Sequence, residues 1–165
     1  MFRKPISMAV LLLILLGLLA VSACGQVSAN NSANVTAKQT TINAGLNGDS
    51  ASISMSDVDK FTNTRFIVNT ATAQLSFMAY KYNNQLYVRT DICPPCGSRS
   101  FTLTNGTLVC DSCGTVFDAK TGAGVKGPCV KYAKQPVPVV VKDGNILMQG
   151  PDLTLAFQNT LNPTK

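Results

Sequence analysis

The chain has 165 residues, carries 14 lysines and arginines against 8 acids, and contains no histidine and no tryptophan. Without histidine, Ser-His-Asp and Cys-His nucleophiles, imidazole acid/base chemistry and His-containing metal sites are all excluded, so any metal must be held mainly by sulfur. The length admits one domain with a leader and a tether, and a basic excess without a basic run or interleaved aromatics gives no reason to expect a nucleic-acid partner.

In chain order, residues 1–23 read as a lipoprotein signal peptide. Arg3 and Lys4 supply the positive start, the stretch from Ile6 to Val21 is apolar apart from Ser7 and Gly17, and Val21-Ser22-Ala23 offers a small-residue cleavage site just before Cys24. This end resembles the bacterial lipobox, which implies that Cys24 is diacylated and becomes the mature N-terminus. An uncleaved transmembrane anchor is the alternative. Either reading holds the domain at a membrane, on the extracytoplasmic face; each buried acyl methylene contributes about 0.8 kcal/mol to such an anchor. From Cys24 to residue 56 the chain is mostly Ser, Asn, Thr, Ala and Gly with isolated apolar residues. That composition predicts a flexible linker.

Residues 57–160 are expected to form the folded domain, all-β and built from short antiparallel strands. Arg65 to Val68 reads as a strand, and Leu75, Phe77 and Ala79 alternate with Ser76, Met78 and Tyr80 in another that runs through Tyr82. Asn83-Asn84 turns the chain into Gln85–Thr90. Tyr80, Tyr82 and Tyr87 then read as sheet-packing or edge residues. Asn105-Gly106 joins Phe101–Thr104 to Thr107–Val109, and Val116–Asp118 follows. Pro136–Val141 reads as an edge strand, Asp143-Gly144 as a turn into Asn145–Met148, and Leu153, Leu155 and Phe157 as a last short strand. No stretch after the signal shows helical periodicity.

Between the second and third of these strand groups lie the residues that carry chemistry. Cys93-Pro-Pro-Cys96-Gly97 and Cys110-Asp-Ser-Cys113-Gly114 are paired Cys-x-x-Cys knuckles, each followed by glycine. Each knuckle aims two thiolates at one place, and the intervening hairpin brings both knuckles together, which favours one four-sulfur site over two separate ones. Four thiolates suit Zn²⁺, a single iron or an iron–sulfur cluster. Cys129, in Gly127-Pro128-Cys129, is a candidate ligand, which would leave one of the other four spare, or else a neighbouring thiol or a small core residue. Lys120, Lys126, Lys131 and Lys134 read as solvated loop residues; folded around the site they would offset thiolate charge or steer an acidic partner.

Two families share these motifs. From Cys110 onward the sequence resembles the second half of a Rieske domain, with a phenylalanine, a Thr-Gly turn, Gly-Pro and a Val-rich hairpin closed by Asp-Gly. Cys113 stands where that family has histidine and Cys93-x-x-Cys96 replaces its Cys-x-His, so Rieske ligation is excluded while a Rieske-like fold is not. Over residues 62–148 the strand pair, the two knuckles and the glycine-flanked Cys129 resemble the FtrD-like membrane iron–sulfur protein family. That resemblance implies an iron–sulfur centre on Cys93, Cys96, Cys110 and Cys113, electron transfer or metal handling, and a partner in a membrane iron-permease or redox complex. Gly127-Pro128-Cys129-Val130 departs from the family's Gly-Gly-Cys-Asn.

With that resemblance, the chain is expected to be an electron-transfer or metal-handling protein, an electron carrier rather than an enzyme, with no small-molecule substrate evident and no catalytic residue. Two other readings remain open. One is a zinc-stabilised binding module. The other is a thiol-disulfide protein, since Cys-Pro-Pro-Cys is similar to thioredoxin motifs and exported thiols oxidise readily, although no helix is expected after the motif to activate the cysteine.

Overall fold

A computed structural model of the protein describes residues 35–71 and 73–163. The expected signal peptide and Cys24 lie outside these residues. Among the described residues, no helix is long and apolar enough to cross a membrane. The elements are β1 (Thr36–Ala37), β2 (Thr40–Thr41), β3 (Gly45–Asn47), β4 (Ser50–Ser54), α1 (Met55–Phe61), β5 (Asn63–Asn69), β6 (Gln74–Tyr82), β7 (Gln85–Thr90), β8 (Phe101–Thr104), β9 (Thr107–Cys110), β10 (Val116–Asp118), β11 (Gly124–Lys126), β12 (Val140–Lys142), β13 (Asn145–Gln149) and α2 (Gly150–Leu161). They make three sheets, in the orders β1-β8-β9-β10-β11, β12-β13-β4-β3 and β2-β5-β6-β7. All pairings are antiparallel except β2 with β5. The antiparallel β architecture expected from the sequence is therefore present.

Three expectations are corrected. The segment read as linker enters the fold from Thr36 onward: β4 pairs with β13 from Ser50 to Ser54, and Ala51 and Ile53 are buried. Its few apolar residues suffice because backbone pairing to an existing sheet supplies what composition does not. Next, α1 forms where only β-strands are expected, on local capping and charge signals. The Ser54 hydroxyl caps it by accepting from the Ser56 N–H, Asp57 sits in its first turn and Lys60 in its last. Last, the alternation of Leu153, Leu155 and Phe157 belongs to a helix. Leu153, Ala156, Phe157 and Thr160 are buried while Leu155 is exposed, an i, i+3, i+4, i+7 stripe, and Pro151 opens the helix.

β6 positions everything else. Its residues are buried on both faces. Phe77 and Ala79 point into one core with Phe66, Ile146, Met148 and Phe157, which joins the two four-stranded sheets and α2. Met78 and Tyr80 point into a second core with Phe101, Leu103, Leu108, Phe117, Cys93, Cys110 and Cys129. Period-two geometry sends alternate side chains to opposite faces, so one strand serves as the shared wall. Burial of each large apolar side chain contributes about 1.5–3 kcal/mol. Three tight hairpins whose turn residues adopt positive φ (Asn83-Asn84, Asn105-Gly106, Asp143-Gly144) set the registers.

The former linker also makes a buried polar junction. Gln39 donates to the Asp91 carboxylate at 3.1 Å and its amide oxygen accepts from the Phe101 N–H at 3.0 Å, while the Ser76 hydroxyl donates to the other Asp91 oxygen. Burial pushes the Asp91 carboxyl up to about 7, against the opposing hydrogen bonds of Gln39 and Ser76. The folded chain thus holds this proton more tightly than the unfolded chain, whose carboxyl titrates near 3.8. The stability it contributes is full below that value and is lost as pH rises through about 7. Urea unfolding across this range should show stability falling as pH rises, and Asp91→Asn should flatten the dependence.

Candidate metal centre

Each knuckle is a closed backbone turn at the end of a strand. β7 delivers the chain through Asp91-Ile92 to Cys93, whose N–H donates to Ser98 O at 2.8 Å and whose carbonyl accepts from the N–H groups of Cys96 and Gly97. In the second knuckle the Cys110 N–H donates to Thr115 O at 2.9 Å, and the Gly114 N–H donates to Cys110 O at 2.9 Å. Gly97 and Gly114 adopt φ of +70° and +68°. A Cβ there would meet nothing within 4 Å, so the backbone conformation rather than space calls for glycine. The β8/β9 hairpin sets Cys110 opposite Phe101, and the Asp111 N–H donates to Ser100 O at 3.0 Å. The Asp111 side chain then accepts from Ser100 and Thr102, tying the second knuckle to the strand that follows the first.

The result is a cage of four sulfurs. The Sγ atoms of Cys93, Cys96, Cys110 and Cys113 all lie within 4.8 Å of one another. Cys93 to Cys113 is 3.9 Å and Cys96 to Cys110 is 3.7 Å. Cys93 and Cys110 are buried, Cys113 is half-buried and Cys96 is exposed, so one edge of the cage faces outward. Burial pushes the Cys93 and Cys110 thiols up, and the neighbouring Cys129 and Cys96 thiols add to this at Cys93. At Cys113 burial opposes ionisation, but hydrogen bonds from Thr115, Cys110 and Cys96 outweigh it and bring the thiol down to about 6. All five described cysteines are free. No pair approaches the roughly 2 Å of a disulfide, and the chain after Cys96 continues into β8 rather than a helix. The course of the chain into β8 argues against a thioredoxin-type site, in which a helix N-terminus activates the cysteine.

Cys129 is brought to the cage from the other side. It is buried, outside the four-sulfur set, with Sγ 3.8 Å from that of Cys113. The connection is Thr115, whose hydroxyl lies 3.2 Å from the Cys113 sulfur and accepts from the Cys129 N–H at 3.2 Å. Gly127 lets this loop approach: its φ is +118°, and a Cβ would lie 2.7 Å from the Thr115 Cα. Arg89 and Tyr80 clamp the loop that carries Cys129. Arg89 donates to Lys120 O, Lys134 O and the Tyr80 hydroxyl, and Tyr80 donates to Ala119 O at 2.6 Å. Spacing and periodicity do not single out Thr115 or Arg89, and period-two alternation places Tyr80 only in sheet packing. The available signal was an arginine in an otherwise inward-facing strand position.

The four loop lysines divide. Lys120, Lys126 and Lys131 are exposed, as expected for solvated residues, whereas Lys134 is fully buried. Its ammonium donates to the carbonyl of Ile92, the residue before Cys93, and lies 4.3 Å from the Phe117 ring centroid and 4.9 Å from that of Phe101. Burial lowers its pKa, and the charges that oppose this are those of Cys93, Cys110, Asp91 and Cys129. Among the described residues no carboxylate forms an ion pair with it. A buried ammonium is costly without an opposing charge, and four thiolates around a divalent ion leave a net negative charge beside it.

A small β domain with a convergent cage of thiolates and no imidazole is built for a sulfur-ligated centre, the donor set of iron–sulfur proteins. The sequence matches the family described as membrane iron-sulfur containing protein FtrD-like over residues 57–158. The protein belongs to that family, and its cofactor is an iron–sulfur centre for which Cys93, Cys96, Cys110 and Cys113 fit as ligands. No curated protein matches the sequence. Among solved structures it is similar to a chain of the complex of reduced oxygenase and oxidized ferredoxin in carbazole 1,9a-dioxygenase. The two are 26% identical with a TM-score of 0.51, over 63% of this chain and 95% of that one. The cyanobacterial plasma membrane Rieske protein of Synechocystis PCC 6803 matches at 22% identity and a TM-score of 0.44, over 58% of this chain and 94% of that one. The Sphingomonas yanoikuyae B1 ferredoxin matches at 20% identity and 0.44, over 52% and 83%.

Replacing the buried ammonium by an apolar side chain of similar length tests its role beside the thiolates. Lys134→Met should weaken metal binding by about tenfold in competition with a chelator, while the metal-free protein unfolds at the same or a higher denaturant concentration.

Proposed function

We propose that the protein is a membrane-held electron carrier of the iron–sulfur class rather than an enzyme. One observation carries this reading: the four sulfurs converge at the end of the β8/β9 hairpin with Cys96 exposed, so electrons can reach the centre from a docked partner. An iron–sulfur centre supplies one-electron exchange when bound. The chain's residues do the rest. The knuckle backbones hold the ligands, Phe101 and Phe117 shield the inner sulfurs from water, and Lys134 offsets their charge. The ferredoxin likeness supports carrier chemistry, since ferredoxin is named in the complex to which the chain is similar.

The anchor and the partner complete the proposal. The lipobox-like residues around Cys24 support a lipid-anchored protein on the extracytoplasmic face, and the family's description as membrane proteins agrees with a membrane setting. The proposed partner is a membrane redox complex of an iron-uptake system, a reading supported by the resemblance of the knuckles and Cys129 to proteins linked with iron permeases. A zinc-stabilised binding module is the competing reading, favoured by sulfur spacings that also suit zinc.

Colour separates the two. The native protein should show a visible absorbance band that Cys110→Ser abolishes; an unchanged spectrum in this variant, or a colourless native protein, counts against the electron carrier. In cells, Cys24→Ala should move the protein from the membrane fraction to the soluble fraction of the exported proteins, and continued membrane recovery would point to an uncleaved span.

A further inference from the structure

Four cysteine sulfurs can be arranged around metal in two ways. Around one ion they occupy the corners of a tetrahedron, and with metal–sulfur bonds of about 2.3 Å the corners lie about 3.8 Å apart. In a centre of two or four irons bridged by sulfide, cysteines bound to different irons are held roughly 6 Å apart by the metals between them. The two arrangements therefore differ in the longest sulfur–sulfur distance far more than in the shortest.

Here the longest is short. All four Sγ atoms lie within 4.8 Å of one another, and the separations of 3.9 Å for Cys93–Cys113 and 3.7 Å for Cys96–Cys110 match tetrahedral edges. Both of these run from one knuckle to the other. Were the four cysteines divided between two or more irons, sulfurs on different irons would stand roughly 6 Å apart whichever cysteines each iron took. No pair among the four is that far apart.

The two knuckles are held against one another by backbone and by one side chain. The Phe101–Cys110 register, the Asp111 N–H to Ser100 O bond and the Asp111 side-chain bonds to Ser100 and Thr102 fix one knuckle against the other. Beyond that junction, Thr115 and Cys129 flank Cys113.

We infer that Cys93, Cys96, Cys110 and Cys113 hold a single tetrahedral ion without bridging sulfide. With the iron of the proposed function, on which this step rests for the identity of the metal, the centre is one iron on four thiolates. Such a centre can be loaded from solution by the folded chain and requires no sulfide.

The full chain, purified anaerobically in its native form, should contain one iron per chain and no acid-labile sulfide. X-ray absorption at the iron edge should show one iron–sulfur shell and no iron–iron path. Two or more irons with matching sulfide would overturn the inference while leaving the electron carrier standing. One zinc with no iron keeps the single-ion cage and removes the electron carrier. Metal-free chain given Fe²⁺ without sulfide, then oxidised by one electron with ferricyanide, should regain the native visible band; a requirement for added sulfide would sink the single-ion assignment. Cys129→Ser should still bind one ion, and loss of the ion in that variant would overturn the four-ligand set.

Discussion

The structure depends on β6 being buried on both faces. A strand with one solvated face could anchor only one core; this one is the wall between the body of the domain and the hairpin that carries the cysteines. Phe77 and Ala79 are fixed among Phe66, Ile146 and Phe157, and the pleat then dictates where Met78 and Tyr80 stand relative to Phe101 and Phe117. The site is therefore oriented by packing against a rigid sheet and not by its own loops, which agrees with the general need of ligand sets for support from regular elements.

Buried polar groups extend that rigidity toward the metal. Arg89 holds the carbonyls of Lys120 and Lys134 while its Nε donates to Tyr80, so the loop carrying Cys129 is gripped at both ends. Each such group would cost free energy if left unpaired, and each is satisfied by backbone or by another buried side chain. Lys134 is the exception in kind: its ammonium has one carbonyl and two aromatic rings for company, and the thiolates, with Asp91, supply the opposing charge. Metal binding and folding are coupled through that charge, as they are wherever ligands share a core with ionised side chains.

The chain has no histidine, so the donors that converge at the centre are all sulfur. Ligand identity and spacing, rather than fold, determine what metal arrangement is held. Four thiolates bring four negative charges to the site, and that charge gives a physical role to the buried Lys134 ammonium beside them.

Much of this was legible in the chain. The knuckles, their glycines, the Asn105-Gly106 hairpin and the strands β5 to β10 follow from spacing, turn chemistry and period-two alternation, all of which are local. The absence of histidine restricted the ligands to sulfur before any fold was known. The tertiary structure decided what local pattern cannot carry. It drew Thr36 to Ser54 into the sheets, since pairing to β5, β8 and β13 depends on partners distant in sequence. It made a helix of residues whose i, i+2 and i, i+4 apolar spacings overlap, because one face of that segment had a core to cover. It also distinguished Lys134 from Lys120, Lys126 and Lys131, which look alike in sequence, since burial depends on which side of a returning loop faces the cysteines. Sequence named the ligands; the distances among them, and the charge set beside them, exist only once β6 has separated the two cores.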